Sequence, residues 1–358
     1  MIIIDKGLEE NLRESARFIK KALAETSFHI EIDHGEGEGE PLRINKDIDD
    51  EASFTPLSEK RASRNKIAAI DGGSANIVNG RSFRVGVYRC GHLVFENGKL
   101  LEEKVYPPTI QTVSFSNAEE IFSRAHFELL KELPKELPTF DRVVDRVRTL
   151  REWSLANELA EKLDEGDLIL IDGSLRSSVA LPYTLIDRVC KKAAQRGVHL
   201  AGVVKTSTLY WGKHTPLVPM VHRLGNKINP ERNWFCRLTD LGADPIHPTT
   251  DWDIRWFGDI YVAKLSPRSD YAFRVDINRF DETDPKKIVE LLASCSQDPV
   301  YMGYPYPLAA IHNRVRIEPA QIEDFYYRLQ SFALEEGVRM EEWETLFADF
   351  HELLDVSE

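Results

Sequence analysis

The sequence predicts an α/β protein built on a mixed sheet, with helices flanking the sheet and further helical segments at both ends of the chain. Two apolar runs, KIAAIDGGS (66–74) and DLILIDGSL (167–175), are typical of buried strands. Antiparallel strand patterning surrounds Asn97-Gly98, a dipeptide typical of hairpin turns. The 358 residues suffice for one large domain with additions, or for two domains sharing an interface.

The elements are predicted from apolar periodicity and turn residues, taken in chain order. Helices are predicted near 8–25, 118–133, 141–163, 181–196, 285–295 and from 306, with two more at the end of the chain. Strands are predicted at 66–74, in antiparallel pairs up to about residue 115, and at 167–175, 199–207, 260–265 and 271–278. A polar stretch at 34–53 predicts a loop, and residues 208–256 predict long loops with some strand content.

The order of these elements narrows the fold class. Early antiparallel strands are followed by helix, strand, helix and strand, which indicates a ribonuclease-H-like mixed sheet. We predict an N-terminal helix and polar loop over 1–65, a central domain over 66–318 and a C-terminal helical segment over 319–358. This is an argument from topology and does not by itself establish chemistry.

Composition limits the classes of function. The net charge of −13 argues against a protein that coats DNA by charge alone, although basic residues can be concentrated in one channel. The four cysteines form no CxxC pair, so a zinc ribbon is not supported and a reducing cytoplasm is the expected location. No stretch approaches the roughly 18 apolar residues of a membrane span, and the start of the chain does not resemble a signal peptide.

Asp71 and Asp172 are the first candidates for chemistry. Each follows an apolar run, and each is followed by glycine, so we expect both at strand ends where the backbone turns. If the two strands are neighbours, the carboxylates can share a Mg²⁺ or Mn²⁺ ion, because these cations prefer oxygen ligands. The alternative is that Asp-Gly is an ordinary turn that ends a strand.

Glu152 lies within the predicted helix 141–163. At about 100° per residue it shares a face with Leu155 and Leu159, whereas Glu158 lies on the opposite face. A glutamate on the inward face is costly unless it is paired or bound to metal. The interpretation as a metal ligand competes with a simple ion pair to Arg148, one turn earlier.

Three residues later in the chain complete the candidate set. His312 lies on a nearly inward helix face, where it can ligate metal, transfer a proton or simply be a core histidine. Tyr304 belongs to the segment YMGYPYP, a rigid entry to that helix. Lys205 ends the strand 199–207 and can contact a phosphate, or extend to solvent as strand-end lysines often do.

The ordered set IAAIDGGS, Arg148–Glu152, LILIDGSL, GVVKTS and GYPYPLAAIHNRVRI resembles the NurA nuclease family over about 66–318. The resemblance implies a ribonuclease-H-like nuclease fold, a homodimer, and Mn²⁺- or Mg²⁺-dependent cleavage of DNA with two ions. It further implies 5′-to-3′ exonuclease and single-strand endonuclease action during resection of double-strand breaks. The implied partner is a HerA-type hexameric ATPase that translocates DNA.

By the same resemblance, Asp71 and Asp172 match the family's metal-binding aspartates, and Glu152 its helical glutamate. Tyr304 and His312 match its active-site tyrosine and C-terminal histidine. Metal ligands are therefore expected to be Asp71, Glu152, Asp172 and His312, with Tyr304 contacting a base or the phosphate. The sequence departs from the family pattern in the additional glycine of DGGS and in its marked acidity.

Two rival functions remain at this point. A phosphotransferase of the actin and sugar-kinase type shares the core and its DGG-like turns, but no second phosphate-binding glycine turn follows residue 212 and no GxxxxGK[ST] loop is present. A non-catalytic adaptor subunit of a DNA motor is the other, and the intact set of carboxylates argues against it. A sequence-specific DNA-binding protein lacks a reading-helix motif.

Overall fold

A computed structural model gives the fold over residues 6–24, 30–32, 42–44, 53–58, 64–80, 82–178, 181–207, 209–211, 215–238 and 255–347. Its strands are β1 (Ile30–Ile32), β2 (Leu42–Ile44), β3 (Phe54–Pro56), β4 (Lys66–Asn79), β5 (Phe83–Glu96), β6 (Lys99–Val105), β7 (Thr109–Ser114), β8 (Leu168–Asp172), β9 (His199–Val204), β10 (Tyr210–Trp211), β11 (Thr215–Pro216), β12 (Trp234–Arg237), β13 (Gly258–Lys264) and β14 (Phe273–Asn278). Its helices are α1 (Lys6–Ala24), α2 (Ala118–Leu130), α3 (Val143–Lys162), α4 (Tyr183–Gln195), α5 (Leu217–Ile228), α6 (Pro285–Ser294), α7 (Tyr306–Val315), α8 (Pro319–Glu335) and α9 (Met340–Phe347).

The predicted fold class is confirmed. Antiparallel strands β4, β5 and β6 are followed along the chain by α3, β8, α4 and β9, and helices lie at both ends of the sequence. The hairpin at Asn97-Gly98 is also confirmed, because both residues have positive φ, 50° and 74°, as a type I′ turn requires. Gly197, with φ of 69°, follows the end of α4 as predicted.

Three predictions about elements are wrong. Helix α5 lies within 208–256, a stretch predicted to be loops and strands; the part at 239–254 lies outside the described residues. Part of the polar stretch forms β2, which pairs with β1. Strand β4 does not end at Asp71 but continues to Asn79, because β5 is equally long and pairs with it beyond the two glycines.

The chain divides into two compact units that interleave along the sequence. Unit 1 comprises 1–64, 172–176 and 199–306. Its main sheet has the order β3-β12-β13-β14-β9, in which each neighbouring pair is antiparallel. Helix α5 packs through Leu217 and Val221 into a core centred on Trp234, and no Cβ fits at Gly225 because the Trp234 ring lies there.

Unit 2 comprises 65–171, 177–198 and 307–358. Its strands have the order β8-β4-β5-β6, and β7 also pairs with β5. Strand β8 is parallel to β4, whereas β5 is antiparallel to it, so this is a mixed sheet. Helix α3 packs on β4 and β5, and α8 and α9 cover the far part of β4 through a cluster that includes Trp343.

The predicted boundaries at 65/66 and 318/319 stay predictions. Across the ranges described here, no helix is both long enough and apolar enough to cross a membrane.

Candidate active site

Asp71 lies in the middle of β4, where its side chain is only 7% exposed. The two glycines that follow it do not serve a sharp turn; they allow close approach. A Cβ at Gly72 would meet the Glu152 carboxylate and lie 2.9 Å from Cγ of Arg148. A Cβ at Gly73 would meet the main-chain carbonyl oxygen of Val315, at the end of α7. The additional glycine of DGGS therefore allows the end of α7 to pack directly against β4.

Asp71 accepts two hydrogen bonds within its unit. The backbone N–H of Gly72 donates to Oδ1 at 2.7 Å, and Nδ1 of His312 lies 2.9 Å from Oδ2. His312 projects from α7 with its side chain 46% exposed. If Nδ1 carries the proton that it donates to the carboxylate, Nε2 has its lone pair for a proton or a metal. Asp71 and His312, both expected as metal ligands, thus lie within hydrogen-bond distance of each other.

Glu152 faces inward on α3, as the helical periodicity predicts. The residue is 9% exposed, whereas the side chain of Glu158 is 43% exposed. Arg148 donates to the Glu152 carboxylate and, at 3.1 Å, to the carbonyl oxygen of Gly72. The ion pair that the sequence left as the alternative interpretation of Glu152 is therefore formed in the structure.

Asp145 completes this arrangement by accepting from Nη2 of Arg148 at 2.7 Å. Burial raises the pKa of Glu152 to about 7, with the Asp71 carboxylate adding to the shift and the positive charge of Arg148 opposing it. Burial acts to lower the pKa of Arg148, but the carboxylates of Glu152 and Asp145 outweigh it and raise that pKa. Asp145 was not among the residues predicted for the site, although its spacing of three residues from Arg148 is typical of such a pair.

Asp172 ends β8, as predicted, and Gly173 follows it with φ of 141°. Two residues of its own unit contact its carboxylate. Nζ of Lys205 lies 2.5 Å from Oδ2, and the Tyr304 hydroxyl donates to Oδ1 at 3.2 Å. The Lys205 ammonium also lies over the Tyr304 ring, 5.3 Å from its centroid. Lys205, predicted to contact a phosphate, is thus paired with a carboxylate here.

Tyr304 is a buried residue, and its ring meets Phe273 edge to face with centroids 5.3 Å apart. A ring held in this way orients its hydroxyl toward Asp172. A ring buried in this way is poorly placed to stack on a base, one of the two roles that the sequence left open. The contact between Tyr304 and Asp172 was not predictable, because 131 residues of chain separate them and no spacing rule joins them.

The strand register relates the two aspartates. Ile70 in β4 pairs with Ile171 in β8, in a parallel ladder that begins at Ile67 and Leu168. Asp71 and Asp172 are the residues that come next in the two strands. The condition that the sequence analysis set, that the two apolar strands be neighbours, is therefore met.

The donor set is chemically suited to a divalent cation. Asp71 and Asp172 supply carboxylate oxygens, the ligands that Mg²⁺ and Mn²⁺ prefer, and His312 supplies an imidazole nitrogen that Mn²⁺ accepts. Lys205 occupies the Asp172 carboxylate with a hydrogen bond of the kind that a bound cation would replace.

The NurA domain model matches residues 65–210. Among solved structures, the chain is similar to the NurA nuclease from Sulfolobus solfataricus, with 16% identity, coverage of 95% of this chain and 99% of that one, and a TM-score of 0.53. Two further NurA structures match with TM-scores of 0.50. One is 11% identical, covering 94% and 98% of the two chains; the other, described as NurA with manganese, is 12% identical, covering 92% and 98%. A search of curated proteins finds no match.

Proposed function

We propose that the chain is a DNA nuclease that hydrolyses phosphodiester bonds with Mn²⁺ or Mg²⁺, and the match of the NurA domain model to residues 65–210 supports this. The observation that carries the proposal is the register Ile70–Ile171, which makes Asp71 and Asp172 the next residues along two paired parallel strands. The similarity to a NurA structure described as containing manganese supports the choice of metal.

The proposed ligands are Asp71, Asp172 and His312, with Glu152 at the edge of the site. Two ions, when bound, would polarise the scissile phosphate and lower the pKa of a bound water. Glu152 supports this site by fixing Arg148, whose Nη1 also donates to the carbonyl oxygen of Gly72 beside Asp71. Direct ligation by Glu152 requires that Arg148 move, or that the second carboxylate oxygen be used.

The remaining residues act on the substrate or on protons. The alternative to metal ligation by His312 is that it gives a proton to the departing oxygen, since its imidazole is half exposed and oriented by Asp71. Lys205, released from Asp172 when a cation binds, would pair with a non-bridging phosphate oxygen. Tyr304 keeps the Asp172 carboxylate in place through its hydroxyl.

The finer assignment follows the family resemblance. We propose 5′-to-3′ exonuclease and single-strand endonuclease action, in resection of double-strand breaks, by a cytoplasmic homodimer. A HerA-type hexameric ATPase would deliver the DNA. The net charge of −13 supports a requirement for such a partner, because the chain has little overall attraction for phosphates.

The test uses single- and double-stranded oligonucleotides labelled separately at the 5′ and 3′ ends. The chain is incubated with each in Mn²⁺, in Mg²⁺ and in EDTA. The proposal predicts cleavage with either metal and none in EDTA, and a 5′-to-3′ exonuclease releases the 5′ label first. Equal cleavage in EDTA would contradict the metal requirement, and ATP binding with no cleavage would favour a phosphotransferase.

A further inference from the structure

The turn that carries Asp172 is held by backbone hydrogen bonds within unit 1. We call residues 172–176 the Asp172 turn. The N–H of Gly173 donates to the carbonyl oxygen of Val203 at 3.1 Å, and the carbonyl oxygen of Leu175 accepts from the N–H of Phe257 at 2.8 Å. The N–H of Leu175 donates instead to a side chain, Oδ2 of Asp276, at 3.1 Å. This last bond ties the turn to a buried charge.

Asp276 lies in β14 and is fully buried, at 0% exposed. Arg274, two residues earlier on the same strand, is buried beside it and binds it in a fork. Nε donates to Oδ1 and Nη2 to Oδ2, both at 2.7 Å. The guanidinium also lies over the Trp256 ring, 4.9 Å from its centroid. Oδ2 of Asp276 therefore serves both Arg274 and the Leu175 amide.

The backbone packs closely around this pair at two glycines, Gly202 and Gly258. A Cβ at Gly202 would meet the carbonyl oxygen of Gly173. A Cβ at Gly258 would lie 2.7 Å from Cβ of Asp276 and 3.2 Å from Cβ of Leu175. Glycines on two strands thus allow the Asp172 turn to sit against the sheet at close range.

A buried ion pair is weak evidence for stability. Removing both charges from water is costly, and replacing such a pair by apolar residues of similar volume is often neutral or stabilising. A contribution to stability is therefore a weak reason for the presence of the Arg274–Asp276 ion pair. The hydrogen bond from the Asp276 carboxylate to the Leu175 amide, three residues after Asp172, gives a specific one.

We propose that Arg274 and Asp276 are positioning residues for Asp172. Arg274 fixes the Asp276 carboxylate, and the carboxylate fixes the Leu175 amide, so the Asp172 turn has one conformation before any cation binds. The inference rests on the proposed function, since it gives Asp172 the role of a metal ligand. Groups behind the ligands of a metal site commonly change its affinity by about 10- to 100-fold when they are altered.

The first test is Asp276→Asn, because the amide replaces one acceptor oxygen by an NH2 donor, so the two bonds from Arg274 and the bond from Leu175 cannot all be kept. Mn²⁺ binding is followed by the electron paramagnetic resonance signal of the free ion, with no DNA present. We expect the dissociation constant to rise about 10- to 100-fold. The matched control is Asp281→Asn, which alters another aspartate of unit 1, one whose side chain is 7% exposed and paired with His199, and should leave Mn²⁺ affinity unchanged.

The second test is the double variant R274M/D276L, which removes both charges and keeps an apolar core. It should fold at least as well as the parent, yet lose Mn²⁺ affinity as Asp276→Asn does. Hydrogen–deuterium exchange on the metal-free protein should show faster exchange in the peptide that contains Leu175, with no change in β13. This variant keeps the inference testable if Asp276→Asn fails to fold.

These experiments test the positioning role and the proposed nuclease function separately. Mn²⁺ affinity that stays within about twofold of the parent in the folded double variant would overturn the positioning role, and so would unchanged exchange at Leu175. DNA cleavage is assayed separately on the unaltered chain. A chain that binds Mn²⁺ but cuts no DNA would contradict the proposed function, and the Mn²⁺ data would still decide the positioning role.

Discussion

Glu152 is a buried carboxylate whose charge is neutralised by Arg148, one helical turn away. A purely structural ion pair and a part of the active site would share this geometry. The contact of Arg148 with the carbonyl oxygen of Gly72, next to Asp71, favours the second interpretation. The effect on DNA cleavage of removing the Glu152 carboxylate distinguishes the two interpretations.

Glu152→Ala should lower DNA cleavage by about 10- to 100-fold, because Arg148 then loses one of the two carboxylates that hold it beside Asp71. Glu158→Ala, on the exposed face of the same helix, removes the same side chain and should leave cleavage unchanged. The rates are compared on one end-labelled substrate in Mn²⁺, with circular dichroism to confirm folding. Equal rates for the two variants would contradict the role given to the inward face.

Asp281 provides a pH-dependent test of the buried pairs in unit 1. Burial acts to raise the pKa of Asp281, but hydrogen bonds from His199 at 2.7 Å and from the N–H of Thr283 at 3.0 Å outweigh it, so the pKa lies below its ordinary value of 3.8. A depressed carboxyl pKa stabilises the folded state above the unfolded-state pKa, and this stabilisation is lost as pH falls through the folded-state pKa.

Asp281→Asn should therefore reduce the free energy of unfolding by about 1–3 kcal/mol at pH 7. The difference between the variant and the parent should shrink as the pH is lowered below about 4. Urea unfolding at a series of pH values measures both quantities. A difference in the free energy of unfolding that stays constant down to pH 2, or grows, would show that the charge of Asp281 does not stabilise the native state.

At the scale of elements, strand β4 and helix α7 meet at Gly73. Because the Val315 carbonyl oxygen occupies the place of a Cβ, the strand and the end of α7 approach more closely than any other residue would permit. Arg89, on the neighbouring strand β5, also donates to that carbonyl oxygen, at 2.9 Å. Helix α7 carries His312, so this contact sets the distance between His312 and Asp71.

Gly73→Ala should lower the free energy of unfolding by about 1–3 kcal/mol, since the obstacle is backbone and one element must shift. It should also weaken Mn²⁺ binding if α7 moves. Asn76→Ala, at an exposed position of the same strand, is the control and should change neither quantity. Thermal unfolding and Mn²⁺ titration test this, and a Gly73→Ala chain as stable as the control would contradict the close approach.

The elements show which features could be predicted from sequence. Apolar runs and helical periodicity located β4, β8 and α3 and placed Glu152 inward, because those patterns record burial directly. The end of β4 was wrongly predicted at Asp71, because Asp-Gly-Gly is also a sequence typical of turns. Only the length of β5 shows that the strand pairing continues beyond it. Helix α5 was missed because Pro219 and Gly225 interrupt an otherwise helical stretch.

The contacts of the candidate site were less predictable than its members. Local sequence patterns identified three members of the site, Asp71, Asp172 and Glu152. By contrast, Lys205 and Tyr304 contact Asp172 although they lie 33 and 132 positions further along the chain. The same holds for Asp276, whose bond to Leu175 spans 101 positions. Such contacts follow from sheet order, which no local pattern encodes.

At the scale of the whole molecule, the net charge of −13 sets the expectation for DNA binding. An acidic nuclease gains little from counterion release and benefits from a partner that brings DNA to it. Mixed with a cognate HerA-type ATPase, the chain should elute from gel filtration in one complex. Bovine serum albumin, another acidic protein, serves as the control for non-specific association. Separate elution of chain and ATPase over a range of salt concentrations would contradict the proposed partnership.

The central claim is that Asp71 and Asp172 together hold the metal that cleavage requires. The most direct measurement compares Asp71→Ala and Asp172→Ala with Asp187→Ala, an aspartate of α4 whose partner is Lys191. DNA cleavage in Mn²⁺ is measured for all three, with circular dichroism to confirm the fold. The account predicts no cleavage by the first two variants and parental cleavage by the third. Full activity in either Asp71→Ala or Asp172→Ala would contradict it.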